Sequence, residues 1–203
     1  IEFSEESGSP DLPHYMNLCK NKIGTPDLVI CLDSGTGDYK RLWTTTSLRG
    51  LIGLKLRVDV LKEGVHSGGA SGYVPSSFRI ARQLLSRIEN QETGEILLDE
   101  LKVKIPDFRM EETKKYVQVV GKELKKEFPW VSNMQPSTDD DVEGVLRRTW
   151  RPALSVVGGG GLPPSENAGN VLRPYTELQL SIRIPPFVNQ KKAQNAIKKV
   201  LLK

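Results

Sequence analysis

Two stretches of strict alternation constrain this chain more than anything else in it. Leu51, Gly53, Lys55, Arg57, Asp59 and Leu61 alternate with Ile52, Leu54, Leu56, Val58 and Val60. Tyr175–Ile184 alternates again, with Leu178, Leu180 and Ile182 on one side. A period of two is the spacing of a strand with one buried face. Each stretch therefore predicts a long strand that needs an apolar cover. Two amphipathic segments can supply it. Pro75 opens a predicted helix with Phe78, Ile80, Ala81, Leu84, Leu85 and Ile88 near helical spacing, ended by Asn90–Gly94. Gln190–Leu202 is the second.

Between these landmarks the chain is more charged. Residues 95–150 form an insertion with two helical segments, Met110–Phe128 and Asp139–Arg148. Ala153–Val157 predicts a short strand running into the glycines Gly158–Gly161. From Thr46 onward the order is strand, helix, insertion, strand, strand, helix. That is an α+β, ferredoxin-like split βαβ unit: an antiparallel sheet with two helices on one face, plus a helical insertion. Its last strand is lacking, because the chain stops at Lys203 where that strand should begin. Residues 1–45 read differently. Ile1–Phe3 and Leu28–Leu32 are short apolar runs, each followed by acidic and Gly/Ser residues, with a predicted helix over Asp11–Lys22 between them. Strands whose carboxyl ends carry polar residues are the pattern of an α/β domain. We therefore expect a piece of such a domain over 1–45 and a second domain over 46–203.

Composition narrows the function. The net charge of +4 comes from 29 basic against 25 acidic residues, and the excess is scattered. The densest run, Lys122–Lys126, is interrupted by Glu123 and reads as a solvated helix face. No basic stripe with interleaved aromatics appears, so a nucleic-acid partner is not expected. No apolar stretch approaches the roughly 18 residues that span a bilayer, so no membrane partner is expected either. Two cysteines, Cys19 and Cys31, make no disulfide framework. Cys31, inside Leu28–Leu32, is expected to be a buried small hydrophobe in a reducing, cytoplasmic compartment. The start, without Met or a charged leader, suggests a domain cut from a longer chain.

The chemistry concentrates in the first 70 residues. Glu5-Glu6 precede Ser-Gly-Ser, Asp33 follows the apolar run, and His66 sits in a glycine-rich turn, HSGGASG. A hydrolytic metal centre needs hard oxygen ligands and a base that activates water. Adjacent glutamates can supply one of each. His14, in the predicted helix, reads as a surface residue.

In order and spacing these motifs resemble the carnosinase-like co-catalytic zinc peptidases, of the cytosolic nonspecific dipeptidase, carboxypeptidase G2 and aminoacylase-1 type. The resemblance covers most of the chain and is weakest over the insertion. It implies that 46–203 is a lid and dimerisation domain following a fragment of the catalytic domain. It implies roles as well. Glu5 would be the general base, and Glu6 and Asp33 would be ligands of a zinc pair, a site that manganese or cobalt can also fill. His66 would enter the partner subunit's active site and hydrogen-bond the oxyanion. Arg183 would hold the substrate carboxylate. Asn170, opening the loop Asn170–Pro174, would contact substrate. Ser34–Gly37 departs from the Asn and aromatic residues usual after the family's Asp. The full ligand set needs two His and a bridging Asp that this chain lacks, so the 203-residue piece alone is expected to be inactive. The implied activity is hydrolysis of a peptide or amide bond in a small peptide or N-acyl amino acid, by a homodimer. The alternative is a non-catalytic, substrate-gripping lid module of an inactive homologue.

Overall fold

The computed structural model describes residues 3–203, apart from the side chain of Lys122. The chain divides into two compact units, residues 1–36 and 37–203.

The first unit is short and open. Glu5–Ser7 form one 3-10 turn, closed by Gly8 at φ +87°. Two helices follow, α1 (Leu12–Leu18) and α2 (Lys20–Ile23), within the span predicted as one helix. Pro13 in the first turn of α1 costs no intrahelical hydrogen bond. The strand expected over Leu28–Leu32 does not form. Leu28 is 76% and Leu32 96% exposed, and no strand among the described residues pairs with this run. An extended segment without a ladder partner has nothing to satisfy its backbone except water. Cys31 is accordingly exposed, not buried as expected, and both cysteines are free. Of the expected strand Ile1–Phe3, Ile1 and Glu2 lie outside the described residues, and Phe3 is an exposed bend.

The second unit holds the sheet. Its strands are β1 (Gly50–Asp59), β2 (Val65–His66), β3 (Ala153–Gly160), β4 (Val171–Leu172) and β5 (Tyr175–Ile184). Its helices are α3 (Ser67–Ala70), α4 (Ser77–Leu85), α5 (Asp107–Leu124), α6 (Asp141–Thr149) and α7 (Gln190–Leu201). β5 is central, with β1 and β3 antiparallel on either side. The register pairs Ile52 with Ile182, Leu54 with Leu180 and Leu56 with Leu178. The apolar halves of both alternations therefore share one face, as the period of two requires.

Both α4 and α7 cover that face. Ile52, Ile182 and Ile184 pack with Ala193 and Ile197 of α7 and with Ile88 and Ile96. Leu56, Leu178 and Leu180 pack with Ala81 of α4. Leu180 and Ile182 are wholly buried, each worth about 1.5–3 kcal/mol of burial. One polar pair sits inside this layer. Ser77 and Thr176 are buried and share a hydroxyl–hydroxyl hydrogen bond of 2.8 Å. Ser76 caps α4 through the amide of Arg79.

Three details differ from expectation. Phe78 is 43% exposed, because Ala81 occupies the centre of the α4 contact. β3 continues through its glycines to Gly160, with a bulge between Val156 and Gly158. The turn Gly64–Gly72 contains β2 and α3. The insertion forms α5 and α6, and Asp140 caps α6 by accepting from the amides of Val142 and Glu143. Trp43 stands edge-on to Tyr116 at 5.5 Å, which ties the segment before β1 to α5.

Candidate functional site

Glu5, Glu6 and Asp33 belong to the first unit, and all three are exposed. Glu5 and Glu6 occupy the 3-10 turn Glu5–Ser7. The open segment that carries Asp33 is not a strand end. Among the described residues no group of three His, Cys, Asp or Glu side chains gathers where it could hold a metal ion. Two carboxylates are hard oxygen donors of the right kind, but they are too few for a catalytic zinc site, which draws on three protein ligands. Among the described residues the donor set does not make a metal site by itself.

The second unit brings two expected site residues together. β2 and β4 pair antiparallel, with His66 opposite Val171 and Val65 opposite Leu172. The amide of Ser67 donates to the carbonyl of Asn170 at 2.9 Å. His66 and Asn170, distant in sequence, thus flank one short ladder, and both are exposed. Two glycines make the approach possible. A Cβ on Gly64 would stand 2.7 Å from Val171 Cγ1, and a Cβ on Gly68 would stand 2.8 Å from His66 Cε1. The amides of Val60 and Leu61 both donate to the carbonyl of Pro174, which fixes this corner to the end of β1.

Arg183 lies elsewhere. It faces Leu51 on β1 and Ala153 on β3, on the sheet face that α4 and α7 leave open. The His66 corner adjoins the Tyr175 end of β5, and Arg183 lies near the other end. Along the strand from Tyr175 to Arg183 the separation is about 27 Å. The structure therefore pairs His66 with Asn170 and sets Arg183 apart from both.

Charges on the open face are also divided. Near the Tyr175 end, Glu177 accepts Lys55 at 3.2 Å and Arg57 at 3.5 Å, and Arg57 also binds Asp59 at 2.9 Å. At the other end, the side chain of Arg183 has no ion pair or hydrogen bond among the described residues. Arg49, one residue before β1, continues the alternation onto the same face. It is half-buried, and its Nη1 donates to the carbonyls of Arg147 at 3.0 Å and Arg151 at 3.3 Å, at the end of α6. Burial, then the charges of Arg183 and Arg148, hold the Arg49 guanidinium below its ordinary pKa. Motif reading missed Arg49. Its signal was only its phase with Leu51 and Gly53.

Residues 46–203 match the peptidase dimerisation domain of the M20 family. The chain belongs to the M20 peptidase dimerisation-domain family. A cysteinylglycine-S-conjugate dipeptidase of Corynebacterium striatum is 28% identical over 187 residues, which is 91% of this chain and 39% of that protein. The M20 family metallo-carboxypeptidase Sso-CP2 of Sulfolobus solfataricus superposes with a TM-score of 0.77 at 21% identity, over 99% of this chain and 45% of that one. Human carnosine dipeptidase 1 superposes with a TM-score of 0.62 at 20% identity, over 76% of this chain and 33% of that one. The chain thus spans less than half the length of each of these relatives. No helix among its described residues is long and apolar enough to cross a membrane.

Proposed function

We propose that this chain is part of a longer metal-dependent hydrolase, homodimeric and cytoplasmic, that cleaves the peptide or amide bond of a dipeptide or N-acyl amino acid. Residues 1–45 are a piece of its catalytic domain, and 46–203 are its ferredoxin-like lid. The observation that carries this reading is the separation of His66 and Asn170 from Arg183 in a chain of the dimerisation-domain family. An extended dipeptide is about 7 Å long. It cannot touch both ends of β5 in one subunit. A two-fold dimer removes the conflict, because each site can take His66 and Asn170 from one subunit and Arg183 from the other.

The roles follow from the chemistry of each group. Glu5 takes a proton from the attacking water and returns it to the leaving amine. Glu6 and Asp33 are two ligands of a zinc pair, in a site that accepts manganese or cobalt and whose other ligands lie outside this chain. His66 donates a hydrogen bond to the oxyanion as charge develops there. Asn170, beside it, contacts the substrate. Arg183 grips the free carboxylate with its planar fork, which an exopeptidase needs to find a chain end. The 203-residue chain alone is inactive.

Metal analysis and a dipeptide-hydrolysis assay on the whole protein test this reading. Glu5→Gln should lower turnover by about 10²–10⁴-fold with metal content unchanged. Glu6→Gln should lower metal content itself. Near-normal turnover in Glu5→Gln would remove Glu5 from the mechanism. A whole protein that binds no metal and hydrolyses nothing would favour a non-catalytic lid module.

A further inference from the structure

A cavity of about 320 Å³ opens beside Arg183. Arg49 and Ala153 line it: Ala153 stands opposite Arg183 on β3, and Arg49 precedes β1, two residues before Leu51, the other partner of Arg183. Leu124, Phe128, Trp130, Pro136 and Val145 give it apolar walls, and the carboxylates of Asp140 and Asp141 also line it. The insertion supplies all five apolar residues, and Phe128 stands edge-on to Trp130 at 5.8 Å.

The charges around the cavity are unequal. Arg148 is paired with Glu127 through two hydrogen bonds of 2.6 and 2.7 Å. Arg147 and Arg151 both bind Glu143. Lys125 lies 3.7 Å from Asp139, and the Asp140 carboxylate is used in capping α6. The side chains of Arg49 and Arg183 form no ion pair among the described residues, although Asp141 lines the same cavity as Arg49. Like charges near one another, as Arg183 is to Arg49, are a poor arrangement unless an anion joins them. Arg49 cannot swing away, because two backbone carbonyls hold it. It therefore presents a held cation on the wall of the cavity. A few placed polar groups at the edge of apolar walls are the usual make-up of a small-molecule pocket. The cavity next to it, of about 570 Å³, lacks this asymmetry, since Arg147 and Arg151 are already neutralised there by Glu143.

We propose that this cavity is a side-chain subsite: it takes the apolar, preferably aromatic, group of a carboxylate-bearing ligand whose carboxylate is shared by Arg49 and Arg183. The inference rests on the reading of Arg183 as a carboxylate clamp and adds the substrate class. Favoured substrates carry a bulky apolar side chain on the residue that bears the free carboxylate. Arg49 is then a specificity residue, and the insertion sets the preference.

Calorimetric titration of the 203-residue chain tests this with three probes: N-acetyl-L-phenylalanine, N-acetylglycine and N-acetyl-L-phenylalaninamide. The aromatic acid should bind about tenfold or more tighter than the glycine acid, because it buries a ring. The amide, lacking the carboxylate, should bind more weakly than either acid. Ala153→Leu fills the cavity and leaves both arginines in place, so it should reduce the aromatic acid to the affinity of the glycine acid. Arg49→Gln should weaken both acids, with circular dichroism checking that α6 is retained. Equal affinities for the two acids, or no effect of Ala153→Leu, would overturn the subsite and leave the clamp standing. Glycine-acid binding that is indifferent to Arg183→Gln would instead overturn the clamp. Absence of binding by all three probes would reject the subsite, while the hydrolysis assay on the whole protein would still judge the function.

Discussion

At the scale of single residues, the buried pair Ser77–Thr176 is the least expected part of the core. Two hydroxyls sit between strand and helix where apolar contacts would serve, and each satisfies the other. Ser77→Ala should destabilise the chain by about 1–3 kcal/mol, because the Thr176 hydroxyl loses its partner in a dry site. Adding Thr176→Val should recover much of that loss, since a shape-matched apolar pair leaves nothing unsatisfied. Urea unfolding of the single and double variants checks both. A double variant that loses as much as the two singles summed would contradict the account. Residue identity made some of this site legible and hid the rest. The close-packed turn at His66 was readable from its glycines, and Gly64 and Gly68 are where side chains approach closely. Arg49 was not readable. Nothing local distinguishes it, and its meaning comes from carbonyls about a hundred residues away.

At the scale of elements, the alternations were the strongest signal, and β1 and β5 pair over their full lengths. Periodicity reports a buried face, so it succeeds where a face is buried. It failed at Leu28–Leu32, whose apolar side chains are exposed and whose backbone has no ladder partner among the described residues. It also stopped β3 too early, because glycines signal loops locally, while here the neighbouring β5 pairs with them through a bulge. The insertion depends more on charge. Glu143 of α6 binds Arg147 at 3.2 Å and Arg151 at 2.7 Å. Burial raises its pKa, but the hydrogen bonds and charges of Arg151 and Arg147 more than reverse that, and the net shift is downward from 4.5. A carboxylate depressed in the folded state stabilises above its unfolded value and loses that contribution as pH falls through the folded value. The chain should therefore hold its full α6 anchoring above about pH 4.5 and lose it progressively below. Glu143→Gln should show a weaker dependence on pH in this range. Denaturation midpoints from pH 7 to pH 3 would reveal it, and identical slopes for both proteins would contradict it.

At the scale of the whole molecule, stability should be uneven. The wholly buried residues Ala81, Leu180, Ile182 and Ala193 lie in the sheet and the two helices that cover it. Residues 28–32 have exposed side chains and no ladder among the described residues. Amide exchange should be slow across 50–59 and 175–184 and fast across 28–32, and uniform protection would contradict this. The functional claim at this scale is that one active site draws on two subunits, because β5 holds His66 and Arg183 apart. Complementation between inactive variants of the whole protein measures it most directly. His66→Ala and Arg183→Gln proteins are mixed under conditions where mass spectrometry shows subunit exchange. In the mixed dimer, one site combines an intact His66 with an intact Arg183. Random exchange makes half the dimers mixed, each with one working site of two, so activity should return to about a quarter of the unmodified level. If the subunits exchange and no activity returns, His66 and Arg183 serve one site from one chain, and the shared-site account is wrong.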